Sequence, residues 1–311
     1  MTQRTQSLTN WTVRGLTALS GLCVVVFTIA FAILLGYAAW PAFSSFGLHF
    51  LTNEAWNPVT DTFGALSSIY GTIISAAIAL VLSFPVSIGI GFCLSEIMPR
   101  RLVLPIRSLI ELLAGIPSLV YGLWGMYVLA PCFQTTLQPF LIKHLGHFAF
   151  IGQIFSGPPY GVGLLTAGIV LAIMILPFLT AIVVDLFQSV PRLMKESAYA
   201  LGMTPWEVTR SISLPYIKQE IFSGAFLALG RALGETMAVT FVVGNAHRIS
   251  TSLLAPATTI SASIANEFNE ATSDMHTSSL IALGFILLVS TFLALVISKC
   301  MAARAVKGRP A

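Results

Sequence analysis

Long apolar runs separated by polar segments dominate the chain. Six runs of roughly 20 residues lie at about 16–39, 70–94, 106–130, 162–186, 220–243 and 279–301. A helix of about 20 apolar residues crosses a hydrocarbon layer of about 30 Å. The pattern therefore predicts an all-α, polytopic membrane protein with six transmembrane helices. The first run is too long for the apolar core of a signal peptide, and we expect it to be retained.

Composition agrees with this pattern. Of 311 residues, 56% are hydrophobic and only 9% are charged, whereas a soluble domain carries about 25% charged residues. A soluble globular protein is therefore excluded. The net charge is +4. The basic residues responsible are concentrated in particular segments, which is typical of membrane topology rather than of a nucleic-acid-binding patch.

Lys and Arg residues are concentrated in every second segment between the runs. One set of segments holds Arg4, Arg14, Arg100, Arg101, Arg107, Arg192, Lys195, Arg210, Lys218, Lys299, Arg304, Lys307 and Arg309. The alternate loops, at about 40–69, 131–161 and 244–278, hold only Lys143 and Arg248. Because cytoplasmic segments carry the excess of Lys and Arg, both termini are predicted to be cytoplasmic.

The predicted outer loops contain all five histidines and an acidic stretch. His144 and His147 lie at a spacing that a metal could bridge, but no third ligand accompanies them, so we expect solvated or interfacial residues and no metal site. Glu267, Glu270 and Asp274 make the last outer loop acidic. That stretch indicates either a soluble surface or a docking surface for an external partner.

The predicted cytoplasmic loop between the fourth and fifth runs shows two helical signals. Ser189 can cap a first short helix, which Gly202 stops in a left-handed conformation. Thr204 and Glu207 then form a capping box, and a second helix should continue to about Ser213. Two short helices around a glycine turn are either inert scaffolding or a rigid knob for a groove in another protein.

Arg231 and Glu235 are charged residues inside the fifth predicted helix. Arg231 lies about eleven residues into the helix, or roughly 16 Å deep at 1.5 Å per residue, near the midplane. A charge there costs on the order of 2.5–3.5 kcal/mol. Glu235 follows at i+4 on the same narrow face, so the two side chains can pair.

The pair allows two interpretations. One is a buried structural ion pair. The other is an anion relay, because a guanidinium holds a tetrahedral oxyanion through two parallel hydrogen bonds. In that role Glu235 would accept a hydrogen bond from a protonated ligand such as HPO₄²⁻ and disfavour fully deprotonated oxyanions. The residues alone leave both interpretations open.

Part of the predicted cytoplasmic loop fits the pattern E-(S/A)-A-x₃-G-x₉-I-x-L-P. Its members are Glu196, Ser197, Ala198, Gly202, Ile212, Leu214 and Pro215. The pattern resembles the EAA loop of permease subunits in binding-protein-dependent ABC importers, with Ser197 as a small-for-small departure. The resemblance implies a type I ABC importer permease (MetI-like) fold, in which this loop docks on an ATP-hydrolysing subunit.

Three further stretches are similar to the phosphate-importing branch of that family. They are Gly230-Arg-Ala-Leu-Gly-Glu-Thr-Met-Ala-Val239, Glu111-Leu-Leu-Ala-Gly-Ile-Pro-Ser-Leu-Val-Tyr-Gly122 and Ala265-Asn-Glu-Phe268. This resemblance implies import of inorganic phosphate across the bacterial inner membrane. The implied partners are a second permease subunit, two ATPase subunits that bind ATP and Mg, and an external phosphate-binding protein. Arg231 and Glu235 fall on the family's charged positions linked to translocation.

Four regions then divide the chain. They are a cytoplasmic N-terminal segment (1–15), a first helix with its outer loop (16–69), a permease core of five helices (70–301) that includes the coupling loop (187–219), and a cytoplasmic tail (302–311).

Three rival functions stay open. The sequence has no GxxxxGK[ST] phosphate loop and no HExxH, so we expect no ATP hydrolysis by this chain. One rival is a permease for another oxyanion, such as molybdate or sulfate. A second is an ATP-independent transporter or channel, which discontinuous helices would favour, although the sequence indicates none. The third is a membrane scaffold in which Arg231 only packs.

Overall fold

Helices form most of the chain, as the apolar runs predict. The structure, a computed structural model, describes residues 3–148 and 151–307. Its α-helices are α1 (Gln3–Phe46), α2 (His49–Thr52), α3 (Leu66–Phe92), α4 (Arg100–Ala114), α5 (Ser118–Trp124), α6 (Ala130–Cys132), α7 (Gln138–Leu145), α8 (Ile151–Ile154), α9 (Leu164–Ser189), α10 (Arg192–Ala200), α11 (Pro205–Val208), α12 (Leu214–Leu233), α13 (Met237–Thr240), α14 (Ile260–Glu267) and α15 (Asp274–Lys307).

Several short elements complete the described chain. Two strands, β1 (Trp56–Asn57) and β2 (Thr62–Phe63), pair antiparallel with Trp56 opposite Phe63. π-Helical turns lie at Cys93–Ile97, Gly125–Leu129, Phe133–Leu137 and Thr209–Ser213, and a 3₁₀ turn lies at Phe268–Glu270.

Four of the predicted spans are present as long apolar helices. Within the described residues, the stretches long and apolar enough to cross a membrane are Val13–Phe46, Leu66–Ile97, Leu164–Ser189 and Asp274–Ala302. A fifth is reached if the bent pair Arg101–Ala114 and Ser118–Leu145 is one span. The protein is therefore a multi-pass helical membrane protein, although the predicted number of six is not reached on length and composition.

The third predicted helix, at 106–130, is not continuous. α4 ends at Ala114, and α5 begins after Pro117 with the chain turned by 85°. Proline disfavours the helical conformation of the residue before it and lacks the amide hydrogen that a continuing helix needs. Pro117 therefore starts a new helix instead of kinking the old one, and the prediction of one unbroken helix is wrong.

The fifth predicted helix, at 220–243, is also interrupted. α12 begins at Leu214, ends at Leu233 with Gly234 at its C-cap, and the chain becomes helical again only at Met237. Glycine has a low helix propensity, and the carbonyl group of Glu235 exposed by the break accepts a hydrogen bond from the Ser261 hydroxyl at 2.6 Å. The prediction of one helix through both charged residues is therefore wrong.

α9 is the centre of the bundle. In the most apolar part of α9, 67% of the residues are buried, against 28% in that of Leu66–Ile97 and none in that of Val13–Phe46. Two glycines allow α3 and α9 to approach closely: a Cβ on Gly91 would lie 2.6 Å from Val183, and one on Gly168 would lie 2.5 Å from Ile78. α9 is thus the central helix that supports the segments of the candidate functional site.

The two ends of α9 carry different segments. At its N-terminal end, the Leu165 amide donates to the Leu253 carbonyl at 2.8 Å, which fixes the segment before α14. At its C-terminal end, Arg107 of α4 binds Asp185 at 2.8 Å, and α10 follows. With 26 residues, α9 separates these two ends by about 39 Å.

Candidate functional site

Residues 192–215, which we name the EAA segment, form a helical hairpin whose turn chemistry matches the sequence. Gly202 has φ +83°, as the predicted left-handed stop requires. The Glu207 amide donates to Thr204 Oγ1 at 3.4 Å, and the Thr204 amide donates to Glu207 Oε2 at 2.8 Å. The predicted capping box is therefore confirmed.

Both outer boundaries of the predicted hairpin are wrong. Ser189 is the last residue of α9 and donates to the Leu186 carbonyl at 2.7 Å, so it does not cap α10. Pro191 is the N-cap of α10 instead. At the other boundary the chain stays helical beyond Ser213, because a π-helical turn joins α11 to α12 with Pro215 in its first turn. The EAA segment is thus continuous with the helix that carries Arg231.

The residues of the EAA pattern divide between the two arms of the hairpin. Glu196, Ser197, Ala198 and Gly202 lie in α10 and its turn, whereas Ile212, Leu214 and Pro215 lie where α12 begins. Glu196 and Ser197 are exposed and Ala198 is buried. The hairpin also exposes large apolar side chains, with Leu201 84% and Leu193 75% accessible. Such a surface is typical of a protein contact.

A buried carboxylate anchors the EAA segment to the end of the second predicted span. Lys195 Nζ lies 2.5 Å from Glu96 Oε1 and donates to the Phe187 carbonyl at 3.0 Å. The Tyr199 hydroxyl donates to Glu96 Oε2 at 2.9 Å. Burial, with a contribution from Glu96, raises the pKa of Tyr199 to about 12. The phenol therefore remains a hydrogen-bond donor at physiological pH.

Sequence reasoning missed Glu96. The available signal was a single carboxylate at the end of an apolar run, in a region where nearly all the charges are basic.

Arg231 lies in the last turn of α12 with an exposed side chain. Its guanidinium carbon is 5.3 Å from the centre of the Phe178 ring of α9. A cation over an aromatic face is held in place without being neutralised. Arg231 thus keeps hydrogen-bond donors for a further ligand.

Glu235 does not pair with Arg231. The ion pairs within residues 3–148 and 151–307 do not include one between these two side chains. Glu235 follows the end of α12, and its carboxylate accepts a hydrogen bond from the Ala238 amide at 3.3 Å. The predicted pair on one helix face is therefore wrong, and the depth estimate for Arg231 loses its basis.

The helices that follow the two breaks, α5 and α13, lie against each other. A Cβ on Gly122 of α5 would lie 2.9 Å from the Phe241 ring and 3.0 Å from the Ala238 Cα. Glycine at this position therefore allows the chain after the first break to contact α13, which follows the second. The sequence predicted neither discontinuity, and the structure packs the helices that follow them, α5 and α13, against each other.

A second cluster of charged and polar side chains lies at the N-terminal end of α9, opposite the EAA segment. Glu267 accepts hydrogen bonds from Trp56 Nε1 at 2.7 Å, and its two oxygens lie 2.6 and 3.0 Å from the Nε2 atoms of His247 and His276. The Trp56 and His247 rings stack with their centres 4.9 Å apart. We name these four residues the Glu267 cluster.

The Glu267 cluster changes the expectation for the acidic stretch. Burial raises the pKa of the Glu267 carboxyl, but the hydrogen bonds from His247 and Trp56, among other contributions, outweigh it, and the net pKa is lowered. Glu267 is therefore occupied inside the protein and is not a free docking carboxylate. His276 is 4% accessible, whereas His144 and His147, which were expected to be solvated or interfacial, are exposed.

Comparisons with known proteins agree on one family. The sequence model of the family described as "Binding-protein-dependent transport system inner membrane component" matches residues 86–307. The phosphate transport system permease protein PstC of Mesorhizobium japonicum is 55% identical over 97% of this chain and 93% of its own length. The PstC protein of Xylella fastidiosa (strain Temecula1) is 53% identical over 83% of this chain and 79% of its own length.

A solved structure supports the fold. The crystal structure of a bacterial alginate ABC transporter, in complex with an alginate pentasaccharide-bound periplasmic protein, contains a chain with a TM-score of 0.59 at 17% identity. The match covers 95% of this chain and 96% of that chain. The chain therefore has the ABC permease fold and belongs to the family of binding-protein-dependent transport system inner membrane components, among the PstC permease proteins.

Proposed function

We propose that this chain is the transmembrane permease subunit of an ATP-driven importer that moves inorganic phosphate into the cytoplasm. The observation that supports phosphate as the substrate is the 55% identity, over nearly the whole chain, with a relative named as a phosphate transport system permease. In this proposal α12 is an additional crossing, which gives six, with both termini in the cytoplasm.

Arg231 and Glu235 are the proposed pathway residues. The exposed guanidinium of Arg231, held over Phe178 without a carboxylate partner among the described ion pairs, supports this role. Guanidinium geometry suits two parallel hydrogen bonds to phosphate oxygens. Glu235 would accept a hydrogen bond from the protonated oxygen of HPO₄²⁻ and repel an anion that has no such proton.

The EAA segment is the proposed contact with the ATPase. Its exposed Leu193 and Leu201 supply an apolar surface, and its continuity with α12 would transmit a push on the hairpin to Arg231. The partners in this proposal are a PstA-like second permease subunit, two PstB-like ATPase subunits and an external PstS-like phosphate-binding protein. ATP and Mg would be bound by the ATPase subunits, and no catalytic step is assigned to this chain.

Arg231→Gln tests the pathway in vesicles containing the complete importer and its binding protein. We expect labelled phosphate uptake to fall at least tenfold while the subunits still co-purify, because the amide lacks the charge and the fork of donors. Lys299→Gln, also exposed but on α15 and outside the coupling loop, is the control and should retain uptake. Equal uptake in the two variants would support a scaffold role for Arg231.

The substrate and the energy source can be separated in the same vesicles. If phosphate is the cargo, excess sulfate or molybdate should compete poorly in the wild type and better in Glu235→Gln, which no longer repels unprotonated oxyanions. Uptake should stop when the partner ATPase is catalytically inactive. Persistent uptake in that preparation would indicate an ATP-independent transporter or channel.

A further inference from the structure

A cavity of about 360 Å³ lies between the segment that follows α8 and the segment that precedes α14. Its lining includes Ser156, Tyr160, Arg248, Ser250 and Ser252. None of these residues belongs to the EAA segment, to the Glu267 cluster or to the region around Arg231. We name it the Arg248 cavity.

Backbone hydrogen bonds hold the walls of the Arg248 cavity in place. The Leu253 amide donates to the Ile154 carbonyl at 2.8 Å, and the Ser252 hydroxyl donates to the Ser156 carbonyl at 2.6 Å. The Tyr70 hydroxyl of α3 donates to the Ser250 carbonyl at 2.9 Å. The cavity is therefore tied to the helical bundle and not only to a surface loop.

Three donors that line the cavity are not used by the described part of the protein. Arg248 is exposed and forms no ion pair within those residues, and the Tyr160 hydroxyl has no hydrogen-bond partner there. The Ser250 hydroxyl oxygen accepts from the Ser252 amide at 3.1 Å, which leaves its own proton to donate. The Glu54 carboxylate accepts a hydrogen bond from the amide of Ile249, which follows Arg248 in the chain.

The cavity contains one of the basic residues of the predicted outer loops and lies at the N-terminal end of α9. Arg248 and Lys143 are the Lys and Arg residues of the three predicted outer loops. The cavity is joined to the N-terminal end of α9, because Leu165 binds the carbonyl of Leu253, next to Ser252 in the chain. It therefore lies at the opposite end of α9, a helix about 39 Å long, from the EAA segment, at the end that the proposed function places on the outer side.

We propose that Arg248, Tyr160 and Ser250 bind a tetrahedral oxyanion, with inorganic phosphate as the first ligand to test, before it reaches Arg231. The guanidinium supplies charge and a planar fork of donors, and the two hydroxyl groups supply donors that do not require a buried charge. The place of this site in a transport path rests on the proposed function; the binding itself does not.

Direct binding is tested by chemical modification of arginine in the complete importer, held in nanodiscs of zwitterionic lipid. Phenylglyoxal adducts at Arg248 and Arg101 are quantified by peptide mass spectrometry, with and without inorganic phosphate at constant ionic strength. We expect phosphate to slow modification of Arg248 at least threefold and to leave Arg101 unchanged. Equal rates at Arg248 would overturn the proposal, as would protection by anionic lipid in the absence of phosphate, which would assign the site to a headgroup.

A transport measurement separates this proposal from the proposed function. We expect Arg248→Gln to reduce phosphate uptake about fivefold at low concentrations of loaded binding protein, with Lys143→Gln as the control that removes the other outer-loop charge. If the wild-type importer moves phosphate and the two variants behave alike, the place of the Arg248 site in the transport path is wrong and the proposed function stands. If the wild type moves no phosphate, the proposed function fails, and the protection experiment still decides whether the cavity binds the anion.

Discussion

The single carboxylate of Glu96 joins the EAA segment to the end of the second predicted span. Its side chain is 5% accessible, and it is held by Lys195 from α10 and by the Tyr199 hydroxyl. A charge so deeply buried is tolerated because its partners replace the lost hydration. Removal of either charge alone therefore leaves the other without compensation.

Lys195→Met tests this junction. We expect it to destabilise the protein by about 3 kcal/mol, because breaking a buried pair leaves an uncompensated charge. The measurement is the thermal unfolding midpoint of the purified protein in detergent. Adding Glu96→Gln should recover part of the loss, since the second change removes the stranded carboxylate. Additive losses in the double variant would show that the two residues are not coupled.

At the scale of elements, the EAA segment depends on its turn. Gly202 is the residue at which the chain reverses between α10 and α11, and space is open around it: nothing lies within 4 Å of the Cβ that a larger residue would add. Its positive φ alone therefore requires glycine.

Gly202→Ala should cost about 1–2 kcal/mol of stability through backbone strain. Gly89→Ala is the matched control, because that position is equally open but lies inside α3. There alanine should stabilise the helix by about 0.5–1 kcal/mol. Unfolding of the two variants is compared in detergent, and a neutral Gly202→Ala would show that the turn can change its conformation.

The Glu267 cluster joins β1, the segment before α14, α14 itself and α15. Glu267→Gln should lower stability at pH 7 by about 1.5–3 kcal/mol, because hydrogen bonds to a carboxylate are stronger than those to an amide. The pKa of Glu267 is lowered from its ordinary value of 4.5. The wild-type advantage should therefore be fully present above pH 4.5 and be lost as the pH falls through the lower, folded-state value.

Thermal unfolding of the wild type and of Glu267→Gln between pH 7 and pH 3 measures this dependence. An advantage that had already disappeared at pH 6 would contradict the role assigned to the carboxylate.

Elements with one dominant signal were predictable from the sequence. The capping box at Thr204, the left-handed Gly202 and four long apolar spans are local features, and the structure confirms them. The break after Leu233 was not predictable, because Gly230 and Gly234 also fit a helix-packing motif and the apolar run continues past them. The Ser261 hydroxyl, which is distant in sequence, compensates the freed carbonyl of Glu235.

The same limit applies to the candidate site. Arg231 and Glu235 are conspicuous as charges in an apolar run, but their geometry depends on whether the helix continues between them. The Lys195–Glu96 contact joins residues 99 positions apart, and no periodicity encodes such a pairing.

At the scale of the whole molecule, two exposed leucines allow a test of which end meets the ATPase. Leu201 in the EAA segment is 84% accessible, and Leu48, between α1 and α2, is 83% accessible. Leu201→Glu should reduce co-purification of the ATPase subunit at least tenfold, because a charge enters an apolar contact. Leu48→Glu should leave the complex intact. The assignment would fail if both variants retained the ATPase subunit.

The position of Arg231 in the last turn of α12 has a further consequence for a carrier. The unpaired carbonyl groups at a helix C-terminus together act as about half an elementary negative charge. This fixed dipole steadies the guanidinium without cancelling it, so in the proposed pathway an arriving anion would displace no carboxylate, and its departure would require none to return. Such a binding point would favour a short dwell time over tight retention, as the role proposed for Arg231 in every transport cycle requires.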